Sequence, residues 1–259
     1  MATISNVNGK KITKIKYKGE IYDTGGGDPL KEYLDETKNA SYMFCGYAQT
    51  YDATTWYFNL TYERLQKILS YNTTSNVTNM RGMFYSCNNI TTIPSINTSL
   101  VTTMDSMFRS CTSLTTIPQL NTSNVMNMSF MFFNCTKLTT IPQLDTSKVN
   151  NMNRMFDSCY KLTIIDITEM NTSNNSYFAN SCYSLTKLII RNMNTIPTLG
   201  SSAFENCYHF TGTTNETYNP QGLKDGRIYV PDDKVDALKT ATNWSKYADI
   251  IVPLSTLVE

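Results

Sequence analysis

The stretch Asn121-Thr122-Ser123-Asn124-Val125-Met126-Asn127-Met128-Ser129-Phe130-Met131-Phe132-Phe133-Asn134-Cys135-Thr136-Lys137-Leu138-Thr139-Thr140-Ile141-Pro142 decides the fold, because its pattern returns on both sides. Cys87, Cys111, Cys135 and Cys159 are spaced by 24 residues, Cys182 follows after 23 and Cys207 after 25. A Phe stands three or four positions before each: Phe84, Phe108, Phe132, Phe156, Phe178 and Phe204. Three positions after come Ile90, Leu114, Leu138, Leu162, Leu185 and Phe210. Ile93-Pro94, Ile117-Pro118 and Ile141-Pro142 follow, and Asn-Thr-Ser opens the next unit at Asn97, Asn121 and Asn171, with Asp145 replacing Asn once. A period of this length signals an array of small units, each burying its apolar face only against its neighbours.

Stacking such units piles equivalent positions into ladders at about 4.8 Å, so every rung must tolerate its copy above and below. Phe, Cys, Leu, Ile, Val and Met fill the inward ladders, where a thiol serves as a small buried hydrophobe. Asn or Asp at the turns bonds backbone groups that would otherwise be orphaned. Leu114 to Ile117 and its equivalents are predicted as short parallel strands, each ended by a Pro that cannot donate to a ladder. Met80/Met83, Met104/Met107, Met128/Met131 and Met152/Met155 recur three apart, which predicts one turn of α- or 3₁₀-helix packed on the strands.

Units such as Thr122-Ser123-Asn124-Val125-Met126-Asn127-Met128, Met131-Phe132 and Cys135-x-x-Leu138-Thr139-x-Ile141 resemble the BspA-type leucine-rich repeat of bacterial surface proteins. The resemblance covers roughly residues 73–213. The tail, with Asp225-Gly226-Arg227-Ile228-Tyr229-Val230-Pro231-Asp232-Asp233, Asn243-Trp244 and Tyr247-Ala248-Asp249, is similar to the terminal segment that follows such repeats in gut-bacterial and phage proteins. The resemblance implies adhesion or recognition and no enzymatic activity. The expected fold class is α/β, a leucine-rich-repeat solenoid with short parallel strands, an N-terminal β-meander and helical caps.

Both ends of such an array need covering. Residues 214–259 read as the C-terminal cap. Ile228 to Val230 is a strand stopped by Pro231; Asp232 or Asp233 caps a helix carrying Val235, Leu238 and Ala241; Trp244, Tyr247, Ile250 and Leu254 supply bulk. Residues 28–72 read as an N-terminal helical cap. Asp28 is its N-cap, Pro29 its first helical residue, and Trp56 to Leu69 form a lid over the first repeat. Residues 1–27 read as a small β-meander with hairpin signals at Asn8-Gly9 and Lys18-Gly19, set apart by Gly25-Gly26-Gly27. That detached element is either an anchor or an extension of the cap.

The formal net charge of +1 gives no field to draw in nucleic acid or an anionic membrane. No stretch approaches the roughly 18 apolar residues a transmembrane helix needs, and the lysine-rich start has no h-region of a secretion signal. The lysine-rich start with Tyr17 and Tyr22 is better read as a solvated strand face than as a nucleic-acid patch. His209 is the single histidine, and its neighbour Cys207 belongs to the inward ladder, where burial makes a thiol inert. Cysteines 24 apart form a row and not a tetrahedron, so no zinc site is expected, and no other cofactor either.

The residue after each ladder Cys is Asn88, Thr112, Thr136, Tyr160, Tyr183 and Tyr208. Tyr160, Tyr183 and Tyr208, with His209, are therefore the candidate ligand-binding residues, since tyrosine faces stack on sugars or proline-rich segments. The expected function is recognition of a host surface protein or glycan through the solenoid. Residues 1–27 would join a virion or surface-assembly protein or a second copy of the chain, placing the product in a virion. An intracellular interaction scaffold is the alternative.

Overall fold

The computed structural model describes residues 2–4, 14–17, 20–23, 38–41, 43, 74–170, 174–200 and 202–258. Strands β1 (Ala2–Ile4), β2 (Lys14–Tyr17) and β3 (Glu20–Asp23) form an antiparallel sheet in the order β1-β2-β3. Tyr17 pairs with Glu20, so Lys18 and Gly19 alone join β2 to β3, as the hairpin signal requires. The glycine hinge, the helix expected from Asp28 and the lid over residues 44–72 lie outside the described residues.

From Thr74 onward the units stack through their backbones. The N–H groups of Met80, Gly82, Phe84 and Ser86 donate to the carbonyls of Thr103, Asp105, Met107 and Arg109 in the next unit, at 3.0, 2.9, 2.8 and 2.7 Å. The intervening amides of Met83, Tyr85 and Cys87 turn back three residues within their own unit, to Met80, Gly82 and Phe84. The helical turn expected at the methionine pairs is therefore absent; the segment is a run of β-turns. A helix would consume every amide locally, whereas this alternation leaves every second N–H for the neighbouring unit. The geometry requires left-handed backbone five residues and one residue before each Cys from Cys87 to Cys182: φ is 55° at Gly82 and 56° at Ser86, and 57° and 60° at Phe130 and Asn134.

Side chains complete the stack. In Asn97-Thr98-Ser99, the Asn97 carboxamide oxygen accepts from the Ser99 amide at 3.0 Å, closing a local turn. Thr98 is buried and bridges units: its hydroxyl donates to the Asn121 carbonyl at 2.9 Å and accepts from the Asn121 amide at 2.8 Å. Asn39, Asn79, Asn127 and Asn151 each accept from the amide two residues on, and they pair in a continuous ladder with Thr103. That ladder begins at Asn39. Asn39-x-x-x-Met43-Phe44 repeats Asn79-x-x-x-Met83-Phe84 in sequence, and residues 38–41 and 43 stack as a partial unit inside the span expected to be a helical cap.

Phe84, Phe108, Phe132 and Phe156 are fully buried and stack with centroids 5.4 to 5.5 Å apart and planes within 8°. The column then breaks. Phe156 and Phe178 meet at 87°, as do Phe178 and Phe204. The cause is a one-residue slip: the Phe156 amide bonds the Phe178 carbonyl where Phe132 bonds Met155, so Phe178 fills the methionine position and Ala179 the phenylalanine position. The ring has moved to the adjacent rung, and an alanine stands in its former place.

Among the described residues the regular parallel strands lie in the C-terminal half, contrary to the expectation of one in every unit. β4 (Ile164–Glu169), β5 (Lys187–Asn192), β6 (Arg227–Val230) and β7 (Ile251–Pro253) form a parallel sheet in that order. In earlier units the equivalent stretch makes few crossing bonds, such as Thr115 N–H to Thr91 C=O at 2.8 Å, and Pro94, Pro118 and Pro142 withhold a donor where the strand would continue. β4 and β5 carry no Pro and are rich in Ile, and an Asp166–Arg191 bidentate pair at 2.9 and 2.6 Å crosses them.

The C-terminal cap contains the expected strand, helix α2 (Val235–Thr240) and buried Trp244 and Tyr247 around Phe204. The Trp244 indole donates to the Pro197 carbonyl at 2.9 Å. Neither Asp232 nor Asp233 caps α2; the Asp232 carboxylate accepts from the Ser255 amide at 3.0 Å and ties down the chain end. A four-residue helix, α1 (Tyr208–Thr211), carries Phe210 beneath Gly226, where any Cβ would run into the phenyl ring.

The slip predicts a double-mutant signature. Ala179→Phe alone should overpack the rung and cost about 1 to 3 kcal/mol. Adding Phe178→Met restores the order of the preceding units and should recover most of that loss in denaturant melts, a coupling that additive losses would disprove.

Candidate functional site

The cysteine ladder accounts for the most nucleophilic side chains of the described residues. Cys111, Cys135, Cys159, Cys182 and Cys207 are buried, and each Sγ donates to a carbonyl of the preceding unit, at 2.9 Å to Phe84, 3.0 Å to Phe108, 3.1 Å to Phe132, 3.0 Å to Phe156 and 3.1 Å to Ala179. The same carbonyls accept a backbone amide three residues on, so the thiol satisfies a second lone pair in an otherwise apolar interior. Burial pushes the Cys135, Cys159, Cys182 and Cys207 thiols well above their ordinary range.

His209 is engaged on both sides. Nδ1 lies 2.7 Å from the Asp225 carboxylate and Nε2 3.0 Å from the Tyr218 carbonyl. Both partners are acceptors, so the ring ties the loop after α1 back onto the last units, and neither nitrogen is turned toward Cys207. Among the described residues no cluster of three His, Cys, Asp or Glu is disposed to hold a metal ion, and no helix is long and apolar enough to cross a membrane.

The structure brings Tyr160, Tyr183 and Tyr208 together as a continuous stack. Tyr160 and Tyr183 lie 4.7 Å apart with planes 8° from parallel, Tyr183 and Tyr208 5.0 Å apart at 16°, and Tyr218 leans on Tyr183 at 4.9 Å. All four are half-buried. Their inner faces cover one another, which leaves edges and hydroxyls as the polar handles of the row.

A second row, which the position after each Cys does not reveal, lies toward the start of the units. Two residues before the Cys stand Tyr85, Arg109, Phe133 and the buried Asp157; five before stand the buried Gly82 and Ser106, then Phe130, Arg154 and Tyr177. Aligning the units on their cysteines displays it directly. The Arg109 guanidinium sits 5.5 Å from the Tyr85 ring, 4.9 Å from Phe130 and 5.0 Å from Phe133, and Arg154 lies 4.1 Å over Tyr177. Phe130 and Phe133 are 5.8 Å apart and tilted by 59°.

The ladder thiols make stability depend on alkaline pH. In the unfolded chain a thiol loses its proton near its ordinary value of 9.0, while the buried thiol keeps it. Above that pH the unfolded state binds fewer protons, so stability should fall as pH rises, by up to about 1.4 kcal/mol per pH unit for each thiol, with no effect below it. Denaturant melts at about pH 8 and pH 10 should show the fall, and Cys159→Ala should reduce its slope by one thiol's share; an unchanged slope would place that thiol in water.

No curated protein and no solved structure matches the chain significantly. One family model does, over residues 53–140 and again over 113–218, overlapping spans that together cover well over half of the chain and coincide with most of the stacked units. The chain belongs to the family described as "Mycoplasma protein of unknown function, DUF285".

Proposed function

We propose that the chain is a non-catalytic recognition protein of BspA-like leucine-rich-repeat type. Its solenoid engages a host surface protein or glycan, and residues 1–27 hold it in a virion or surface assembly. One observation carries this reading: the inward columns repeat a single chemistry from unit to unit, while the outward columns vary in chemistry along the stack. Phe, Cys and Met recur inside. The position after Cys runs from Asn88 through Thr112 and Thr136 to Tyr160, Tyr183 and Tyr208, and the position two before it from Tyr85 through Arg109 to Phe133. Such a scaffold retunes its surface without disturbing its core. The tyrosine row offers edges and hydroxyls to a ligand, with His209 bracing the loop beside it. The small sheet of β1 to β3 has too few residues to bury a core of its own, so an assembly partner or a second copy would complete it.

The anchoring half of the proposal is tested by deleting residues 1–27. The truncated chain should keep its circular-dichroism melt. Quantitative mass spectrometry should find the full-length chain in released particles or the cell envelope, and the truncated chain lost from them. A full-length chain confined to the cytosol would favour an intracellular scaffold, and unfolding on truncation would make residues 1–27 a cap.

A further inference from the structure

We propose that the row formed by Tyr85, Arg109, Phe130 and Phe133 is a docking site for a protein partner that presents a carboxylate flanked by apolar side chains. The inference rests on the recognition reading above and names its surface and partner class.

Charge is the first argument. Arg81, Arg154 and Arg191 each face a carboxylate of this chain, Asp105, Asp157 and Asp166, at 3.2, 2.7 and 2.6 Å. Arg109 faces three aromatic rings instead, and among the described residues no carboxylate pairs with it. Among the described residues its Nε is buried without a hydrogen-bond partner. Rings stacked near a guanidinium cover its faces, whereas its Nη donors lie in its plane and suit the two oxygens of a carboxylate.

Backbone strain is an independent second argument. Two positions in each unit from Cys87 to Cys182, and one in the unit of Cys207, adopt left-handed φ. The one just before Cys holds Ser86, Ser110, Asn134, Ser158, Ser181 and Asn206, small polar residues suited to it. The other begins with Gly82 and Ser106 and then holds Phe130 at 57°, Arg154 at 53° and Tyr177 at 55°. Large side chains are unfavourable there, and the stack has no need of them because they point away from the buried columns. Strain retained at an outward position where rings gather around a cation marks a surface kept for contact.

The chemistry favours protein over carbohydrate. Phe130 and Phe133 form an apolar wall with no hydroxyl or amide to bond sugar hydroxyls, while half-buried aromatic and arginine side chains are the usual anchors of protein interfaces. An acidic side chain between aliphatic or aromatic neighbours would meet Arg109 and lay its flanks on the two phenyl rings.

The test uses the immobilised full chain and a displayed library of short random peptides. Selection should enrich peptides with Asp or Glu beside Leu, Ile, Phe, Tyr or Trp. Arg109→Gln should weaken them by about tenfold or more in fluorescence polarisation, as for an interface anchor. The charge-matched control Lys148→Gln should leave them unchanged. Phe130→Gly separates contact from folding: glycine accepts the left-handed backbone, so the denaturation midpoint should hold or rise while binding is lost. No enrichment, enriched peptides without an acid, or binding indifferent to Arg109 and Phe130 would overturn the proposal. Selective binding of the row to acidic saccharides on a glycan array would also overturn it, in favour of a carbohydrate ligand. If Arg109→Gln leaves particle incorporation and host binding intact, the recognition reading stands and this assignment of its surface fails.

Discussion

Every second amide of the turn segments is given to the neighbouring unit, and the rest of the architecture follows from that alternation. Donating Met80, Gly82, Phe84 and Ser86 across the stack holds adjacent units at strand-like separation, which is why the phenyl rings recur at 5.4 to 5.5 Å. The intervening amides can turn back by three residues only if two positions per unit take left-handed φ, and this selects Ser or Asn before each Cys. The carbonyl at the phenylalanine position then receives an amide from its own unit and has one lone pair left, in a space too tight for a larger donor. Cysteine fits because it is small, apolar and a weak donor. The cysteine row that resembles a disulfide or metal framework in sequence is thus a hydrogen-bond ladder.

The period, the inward columns, the C-terminal strand and helix and the N-terminal meander were legible in the sequence, because each rests on spacing that no competing structure explains. Three features were hidden. Met80 and Met83 are three apart in a helix and equally in a run of β-turns, and only the destination of the amides separates the two. Residue identity places Phe178 in the phenylalanine column, whereas the backbone puts Ala179 there; spacing from Cys182, four residues instead of three, carries the signal. The partial unit at Asn39 stands 40 residues before Asn79 and not 24, so a search at one period misses it. Of the candidate site, Tyr160, Tyr183 and Tyr208 were found with their adjacency, but their mutual stacking depends on ring orientation, which residue types do not encode.

The exchange at Phe178 and Ala179 also shows what the interior demands. A methionine and a phenylalanine are replaced by a phenylalanine and an alanine, and the column continues with its rings turned edge-on. The pair is smaller by the difference between a methionine and an alanine, so the interior demands apolar filling in register and not a fixed residue at either rung. Outward positions face no such demand. A side chain there answers only to its neighbours one unit above and below, since contacts in a stacked array are local.

This locality bears on how a binding surface is built from units that are nearly copies. In a fold whose core is a single knot of long-range contacts, a strained residue such as Phe130 would draw on the stability of the whole. Here its left-handed backbone is already imposed by the amide alternation, whichever residue occupies it, and the extra cost of a large side chain is confined to one unit. The stack can carry that cost in three successive units, at Phe130, Arg154 and Tyr177, without altering a single inward rung. Surface chemistry is therefore adjustable unit by unit, and the rows most free to diverge are those whose backbone conformation the stack has already dictated.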